Sequence, residues 1–182
     1  MPRVPTHTVD DAPEVSRATL TRLAATQGKV INILASMAHA PVLLELYDRT
    51  EQLLREQSSL DEPTRQAIHL TVSNVNGCDY CQAAYTIAAV SAGFSRPETT
   101  HLRRGRLPGD ETLTSLLAVC RQIATNTGHV DDATWQAALN AGWSSSELLE
   151  GYAEVVRTIL TNYFNHLVDT EVDLPAAPNL HA

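Results

Sequence analysis

No apolar run in this chain approaches the roughly 20 residues needed to cross a bilayer. The polar start Met1-Pro2-Arg3-Val4-Pro5-Thr6-His7 also lacks the hydrophobic core of an export signal. The expectation is a soluble protein that stays in the cytoplasm and makes no use of a membrane. Positive charge is scarce. Thirteen Lys and Arg against 21 Asp and Glu give a net charge of −8, which argues against nucleic acid as a partner, because such binding needs cations to neutralise phosphates. The local exception, Arg103-Arg104-Gly105-Arg106 with Pro108 just beyond, reads as a solvated loop. Cysteine is limited to three residues, an odd number that does not make an extracellular disulfide framework. No sequence repeat, glycine-rich phosphate loop, or flavin, haem or nicotinamide site is legible, so no cofactor is expected.

What is present is enough apolar material, 43% of 182 residues, for one sizeable core. Strand-like alternation is missing, and helical segments follow one another between glycine, proline and capping residues. The expected fold is all-α, a single-domain helical bundle over residues 14–168. The arms at 1–13 and 169–182 are richer in proline and polar residues, and are expected to lie on a neighbour or to be partly disordered.

Helices are expected at 14–26, 30–38, 42–57, 62–75, 78–92, 96–104, 111–126, from Asp131 or Asp132 to near Gly142, and at 146–167. Asp61, Ser95, Asp110 and a serine of Ser144–Ser146 can cap their helices, and Pro63 sits early in the fourth. In the third helix Leu43, Leu46, Tyr47, Leu53 and Leu54 form an apolar stripe, leaving Glu45, Asp48, Arg49, Glu51 and Arg55 outside. The last helix carries Leu148, Leu149, Tyr152, Val155, Val156, Ile159, Leu160, Tyr163 and Phe164. That band is wider than one neighbour needs and points to contacts between subunits.

The most informative segment is Asn76-Gly77-Cys78-Asp79-Tyr80-Cys81-Gln82-Ala83-Ala84-Tyr85. Positions i and i+3 share a helical face about 5–6 Å apart, within reach of a disulfide. A helix start also favours a thiolate, through free N–H groups and the positive end of the dipole. Only the thiolate is nucleophilic in disulfide exchange. The pair is thus a candidate redox dithiol, against the plainer reading of two small residues packed in a core. Zinc is disfavoured: no second Cys-x-x-Cys or close cysteine–histidine pair completes a tetrahedral site, although Cys120, His69 or His129 can approach in space. Cys120 falls on the apolar face of its helix with Leu113, Leu116, Leu117 and Ile123, and reads as a core residue.

The run from Thr64 to Tyr85, with Asn162-Tyr163-Phe164-Asn165-His166 and Thr170-Glu171-Val172-Asp173-Leu174-Pro175, resembles the carboxymuconolactone decarboxylase superfamily, in its alkylhydroperoxidase D-like, peroxidase-related branch. The resemblance spans about residues 14–178. It implies an all-helical homo-oligomer that reduces a peroxide or disulfide substrate with two cysteines, here Cys78 and Cys81, and is recycled by an external dithiol reductant. The family pattern also places a glutamate twelve residues before the first cysteine and a histidine four after the second, as a proton relay. This chain has Gln66 and Tyr85 there. A glutamine amide does not accept a proton as a carboxylate does, and a phenol with a pKa near 10 donates a hydrogen bond more readily than it acts as a base.

Loss of such groups typically costs about 10²–10⁴-fold each, so the relay is degenerate and activity can be low. His69 shares a helical side with Gln66 and Ser73, and is a candidate substitute, against the reading of a histidine bonded between helices. Asp79 reads as a capping or dipole residue. Tyr80 borders either a substrate entrance or another subunit. The expectation is a peroxidase-like thiol–disulfide oxidoreductase, the alternative a non-catalytic interaction or ligand-binding protein of the same descent.

Overall fold

The computed structural model describes residues 1–180, and among these it has nine helices and no strand. They are α1 (Glu14–Gln27), α2 (Asn32–Met37), α3 (Pro41–Gln57), α4 (Glu62–Val75), α5 (Asp79–Ser91), α6 (Arg96–Arg103), α7 (Glu111–Thr125), α8 (Asp132–Asn140) and α9 (Ser145–Val168). The starts follow local chemistry. Asp61 accepts from the Thr64 amide at 3.0 Å, and Asp110 and Asp131 do the same for Leu113 and Thr134. Ser95 with Glu98, and Ser144 with Glu147, close reciprocal capping boxes. Each cap satisfies an amide the helix cannot, worth about 0.5–2 kcal/mol.

Helix α4 is the axis of the bundle and packs against α5, α6, α7 and α9. Every residue from Arg65 to Ser73 is buried, so this helix has no solvent face over more than two turns. Two of its polar members are met by neighbours: Thr71 donates to the Leu102 carbonyl at 2.7 Å, and Asn162 donates to Ser73 at 3.2 Å. Helix α7 meets α9 where Gly151 leaves room for Leu116 and Cys120. Cys120 is fully buried there, and burial pushes its thiol up.

The third helix is turned relative to the expected stripe. Leu44 and Asp48 are its buried residues, while Leu46 and Leu53 are 51% and 52% exposed. Glu51 is drawn inward as well, one turn on from Asp48. The apolar count along α3 misled because the face it presents to the domain lines a polar cavity, where bound carboxylates are more stable than leucines. Arg22 grips both oxygens of Asp48 at 2.8 and 2.5 Å.

Both arms differ from the expectation too, for their described residues lie on the chain's own helices. Arg3 donates its amide to the Val168 carbonyl at 2.8 Å, and Ala12 is buried. On the other arm Asp173 binds Lys29 at 2.9 Å, Leu174 packs on the core, and Arg103 donates to the Pro178 carbonyl at 2.5 Å. Positions 181 and 182 of that arm lie outside the described residues.

Candidate functional site

Between α4 and α5 the chain reverses through Gly77, whose φ of +66° is a conformation open to glycine. The Cys78 amide then donates to the Ser73 carbonyl at 3.0 Å. Cys78 becomes the N-cap of α5, one residue before the helix begins, and its sulfur accepts from the Cys81 amide at 3.4 Å. Cys81 follows in the first turn. Both thiols are free and buried.

Their surroundings divide the pair into unequal members. Asn165 of α9 donates to Cys81 Sγ at 3.2 Å and reaches Cys78 Sγ at 3.7 Å. The pKa of Cys81 is lowered to about 7, first because the Cys78 thiol donates a hydrogen bond to it, then, against the cost of burial, by Asn162, Thr161 and Asn165. Cys78 moves upward, as the thiol that keeps its proton beside a neighbouring thiolate and away from water. One negative charge is thus shared by the two sulfurs and rests on Cys81.

A cavity of about 450 Å³ opens onto Cys81. Its described lining includes Cys81 but not Cys78. Leu23, Ile31, Ile33, Ala84 and Ala88 make it apolar on one side. Tyr80, Tyr85 and Gln66 line it, as do Tyr47 and Glu51 from α3 and Arg157 from α9. Tyr80 gives its proton to Asp173 Oδ1 at 2.8 Å, which ties the cavity wall to the C-terminal arm. Gln66 donates to Glu62 at 2.6 Å, and its carbonyl oxygen is buried without a partner among the described residues.

Arg157 is the buried cation of the site. It donates Nη1 to the Tyr85 hydroxyl and pairs Nη2 with Glu51, and its Nη2 lies 3.5 Å from the Tyr47 hydroxyl. Burial costs the guanidinium, yet the tyrosines and carboxylates around it raise its pKa well above the ordinary value, so its charge is permanent. Glu51 remains ionised for the same reason: burial opposes it, and Arg157 then His69 and Arg65 outweigh that. Tyr85 is pushed upward by burial and stays a neutral phenol.

His69 lies behind this layer. It is fully buried, its Nε2 pairs with Glu154 at 2.8 Å, and its ring tilts against that of Tyr85 at 4.7 Å. Burial holds the imidazole down, so it is a neutral donor to the carboxylate. Glu154 draws its compensating charge from Arg65, whose Nε donates at 2.5 Å. Among the described lining residues of the cavity His69 does not occur. The structure therefore brings Cys81, Tyr80, Tyr85 and Gln66 together around one cavity, with Cys78 and His69 outside its described lining.

Sequence reasoning missed Glu51, Arg157, Tyr47, Asn162 and Asn165. The two asparagines were within reach, since they stand in the Asn162–His166 run and are polar residues on an apolar helix. Glu51 carried no signal, because it sits among charged residues that read as a solvated face, whereas Arg157 stood out as a lone cation in the apolar band of the last helix. No three described His, Cys, Asp or Glu residues are grouped to hold a metal ion, and no described helix is long and apolar enough to cross a membrane.

An all-helical domain that buries an unequal pair of thiols beside a cavity is the class of protein these features define. Residues 41–109, which contain α4 and the sulfurs, match the model of the Carboxymuconolactone decarboxylase family. No curated protein matches the chain. Solved structures do. An uncharacterized peroxidase-related protein from Ralstonia eutropha JMP134, solved as an alkylhydroperoxidase AhpD core, is 16% identical with a TM-score of 0.84, covering 94% of this chain and 92% of its own. A second uncharacterized peroxidase-related protein, from Silicibacter sp. TM1040, is 17% identical with a TM-score of 0.81, covering 93% and 91%. A cysteine-to-alanine variant of the debrominase Bmp8, in complex with 2,3,4-tribromopyrrole, is 17% identical with a TM-score of 0.80 over the same shares of the two chains. The chain shares its fold with these alkylhydroperoxidase D-like structures, and its segment 41–109 is similar to the Carboxymuconolactone decarboxylase family. At these identities the structural likeness is one of fold, and the fold hosts more than one activity.

Proposed function

We propose that the protein is a peroxidase-like thiol–disulfide oxidoreductase in which Cys81 is the attacking sulfur and Cys78 the resolving one. The observation that carries this reading is the inequality of the pair: a thiolate is favoured on Cys81, which lines the cavity, while Cys78 holds its proton and is absent from the described lining. The Cys81 thiolate takes the outer oxygen of a hydroperoxide and becomes a sulfenic acid, while an alkoxide leaves. Cys78 then attacks that sulfur, the hydroxyl departs with the Cys78 proton as water, and a disulfide forms. An external dithiol returns both thiols and carries away the two oxidising equivalents. The electrons balance with the protein thiols and these two reactants. Gln66 and Tyr85 in place of a carboxylate and an imidazole support a low rate.

Thiol alkylation with mass spectrometry, before and after one equivalent of hydroperoxide, tests this reading. The expected product is a Cys78–Cys81 disulfide that a dithiol reverses over repeated turnovers. Brominated pyrroles belong in the same panel, since the debrominase relative binds one, and a thiolate backed by a thiol can also accept a halogen in place of an oxygen. A chain inert to every oxidant, with Cys78→Ser and Cys81→Ser indistinguishable from wild type, supports the alternative of a ligand-binding descendant that keeps only the cavity. The exposed apolar row of α9, Leu149, Tyr152, Val156, Tyr163 and Leu167, supports assembly into a homo-oligomer.

A further inference from the structure

The chain lacks a carboxylate and an imidazole where its relatives' pattern has a relay, yet the oxygen expelled when Cys81 is oxidised still has to be protonated. Three phenols line the cavity and differ in what they do with their protons. Tyr80 has committed its own to Asp173. Tyr85 has not: its oxygen accepts from Arg157 Nη1, and among the described residues no acceptor takes the phenol proton. Tyr85 stands four positions after Cys81 on α5, so the two side chains share one face of that helix, and both line the cavity. Tyr47 also has a free proton, but it is on α3 and meets Arg157 only at 3.5 Å. Gln66 is bound to Glu62, and His69 to Glu154 behind the Tyr85 ring.

Resting on the dithiol peroxidase reading, we infer that Tyr85 is the general acid of the peroxide step, with Arg157 and Glu51 as the residues that position it. The Cys81 thiolate forms its bond to the outer peroxide oxygen as the O–O bond breaks. The electron pair of that bond goes to the inner oxygen, which takes the Tyr85 proton and leaves as an alcohol. The resulting phenolate faces the guanidinium, whose two-sided grip by Tyr85 and Glu51 is already built, so its charge is stabilised without rearrangement. Water in the open cavity later returns the proton, equal to the one lost when Cys81 first ionised. Burial, which disfavours the phenolate in the resting state, keeps the donor loaded between turnovers.

A proton donor matters most when the leaving oxygen is strongly basic. Single-turnover oxidation of Cys81 by tert-butyl hydroperoxide, which expels an alkoxide, and by peracetic acid, which expels a carboxylate, therefore separates this role from packing. For Tyr85→Phe the expected result is a fall of about 10²-fold or more with the alkyl hydroperoxide and little change with the peracid. Glu51→Gln keeps the phenol, loosens its anchor, and should show the same selectivity with a smaller fall. Thermal unfolding of each variant is followed alongside. Equal losses with both oxidants, no loss with either, or the selectivity appearing in Tyr47→Phe instead of Tyr85→Phe would overturn the assignment. Wild type that forms the disulfide with peracid but not with the alkyl hydroperoxide overturns it as well, leaving the dithiol reading intact. Wild type that forms it with neither overturns the dithiol reading itself.

Discussion

Arg157 of α9 pairs with Glu51 of α3 across the cavity that holds Cys81. The guanidinium is almost wholly buried, whereas the Glu51 side chain keeps 25% of its exposure. Removing the carboxylate strands a buried cation, which the remaining tyrosines cannot neutralise. Glu51→Ala should lower the unfolding free energy by about 3 kcal/mol, the lower end for a broken buried pair because Glu51 is partly wet. Urea denaturation measures this, and an unchanged midpoint would mean that water already screens the pair.

The asymmetry of the sulfurs fixes a pH dependence. The Cys81 thiolate is the species that reacts, and it grows as pH rises through about 7 rather than through the ordinary thiol range. Iodoacetamide labelling of Cys81, followed by mass spectrometry across pH 5–10 (about the range over which thiols titrate), should inflect accordingly. In Cys78→Ala the main stabilising hydrogen bond is gone while burial remains, so the inflection should move upward. An inflection that stays where it was would assign the thiolate's stability to Asn162 and Asn165 alone.

Glu154 predicts a loss of stability in acid. Burial alone would raise its pKa, but the His69 hydrogen bond and then Arg65 hold it down at about 2, against an ordinary value of 4.5. The folded pKa is the lower one, so this carboxylate stabilises the fold above the unfolded value. That contribution, on the order of 3 kcal/mol, fades as pH falls from about 4.5 toward 2. Glu154→Gln should show a shallower decline over that window in acid denaturation, together with lower stability at neutral pH. A parallel decline would place the acid sensitivity elsewhere.

Gln66→Glu should change the chemistry more than the fold. The new carboxylate would stand where the amide now meets Glu62 at 2.6 Å, and two carboxylates that close share one proton, raising the pKa of the pair. A carboxylate poised in this way is a competent base at neutral pH. Disulfide formation with hydroperoxide should accelerate, with a new inflection above 4.5 in its pH profile, where the ordinary glutamate lies. A flat response would show that the position no longer communicates with Cys81.

The apolar row on α9 is spaced at intervals of three, four and seven residues, one stripe of a helix turned to solvent. On the proposed homo-oligomer reading, wild type should sediment as more than one chain, and replacing Leu149 and Tyr152 together by Glu should reduce the mass to that of one chain, with helicity retained. A single-chain mass for wild type would overturn that reading, and an oligomer unchanged by the substitutions would move the contact to another face.

Helix positions were legible to within about two residues at most ends because most starts carry an oxygen-bearing cap or an early proline, and several stops a glycine or a following proline. The thiol pair was legible for the same reason, as a local spacing in one helix. Asp48 and Glu51 were not. Amphipathic reasoning assumes that the interior is apolar, and on α3 the interior is a polar cavity whose compensating charges, Arg22 and Arg157, arrive from α1 and α9. Nothing within the α3 segment encodes those partners. Asn165 was hidden in another way: its motif was recognisable, but its distance to the sulfurs exists only once α9 lies along α5.

Because the described cavity lining includes one sulfur and not the other, the proposed dithiol cycle would run on a single track: its reductant would strike Cys81 from the side the oxidant used, bonding there while Cys78 departs. A chain carrying Cys78→Ser, offered a reductant stripped of its second thiol, would keep hold of that visitor at Cys81, turning the lone sulfur into bait for its own reductant.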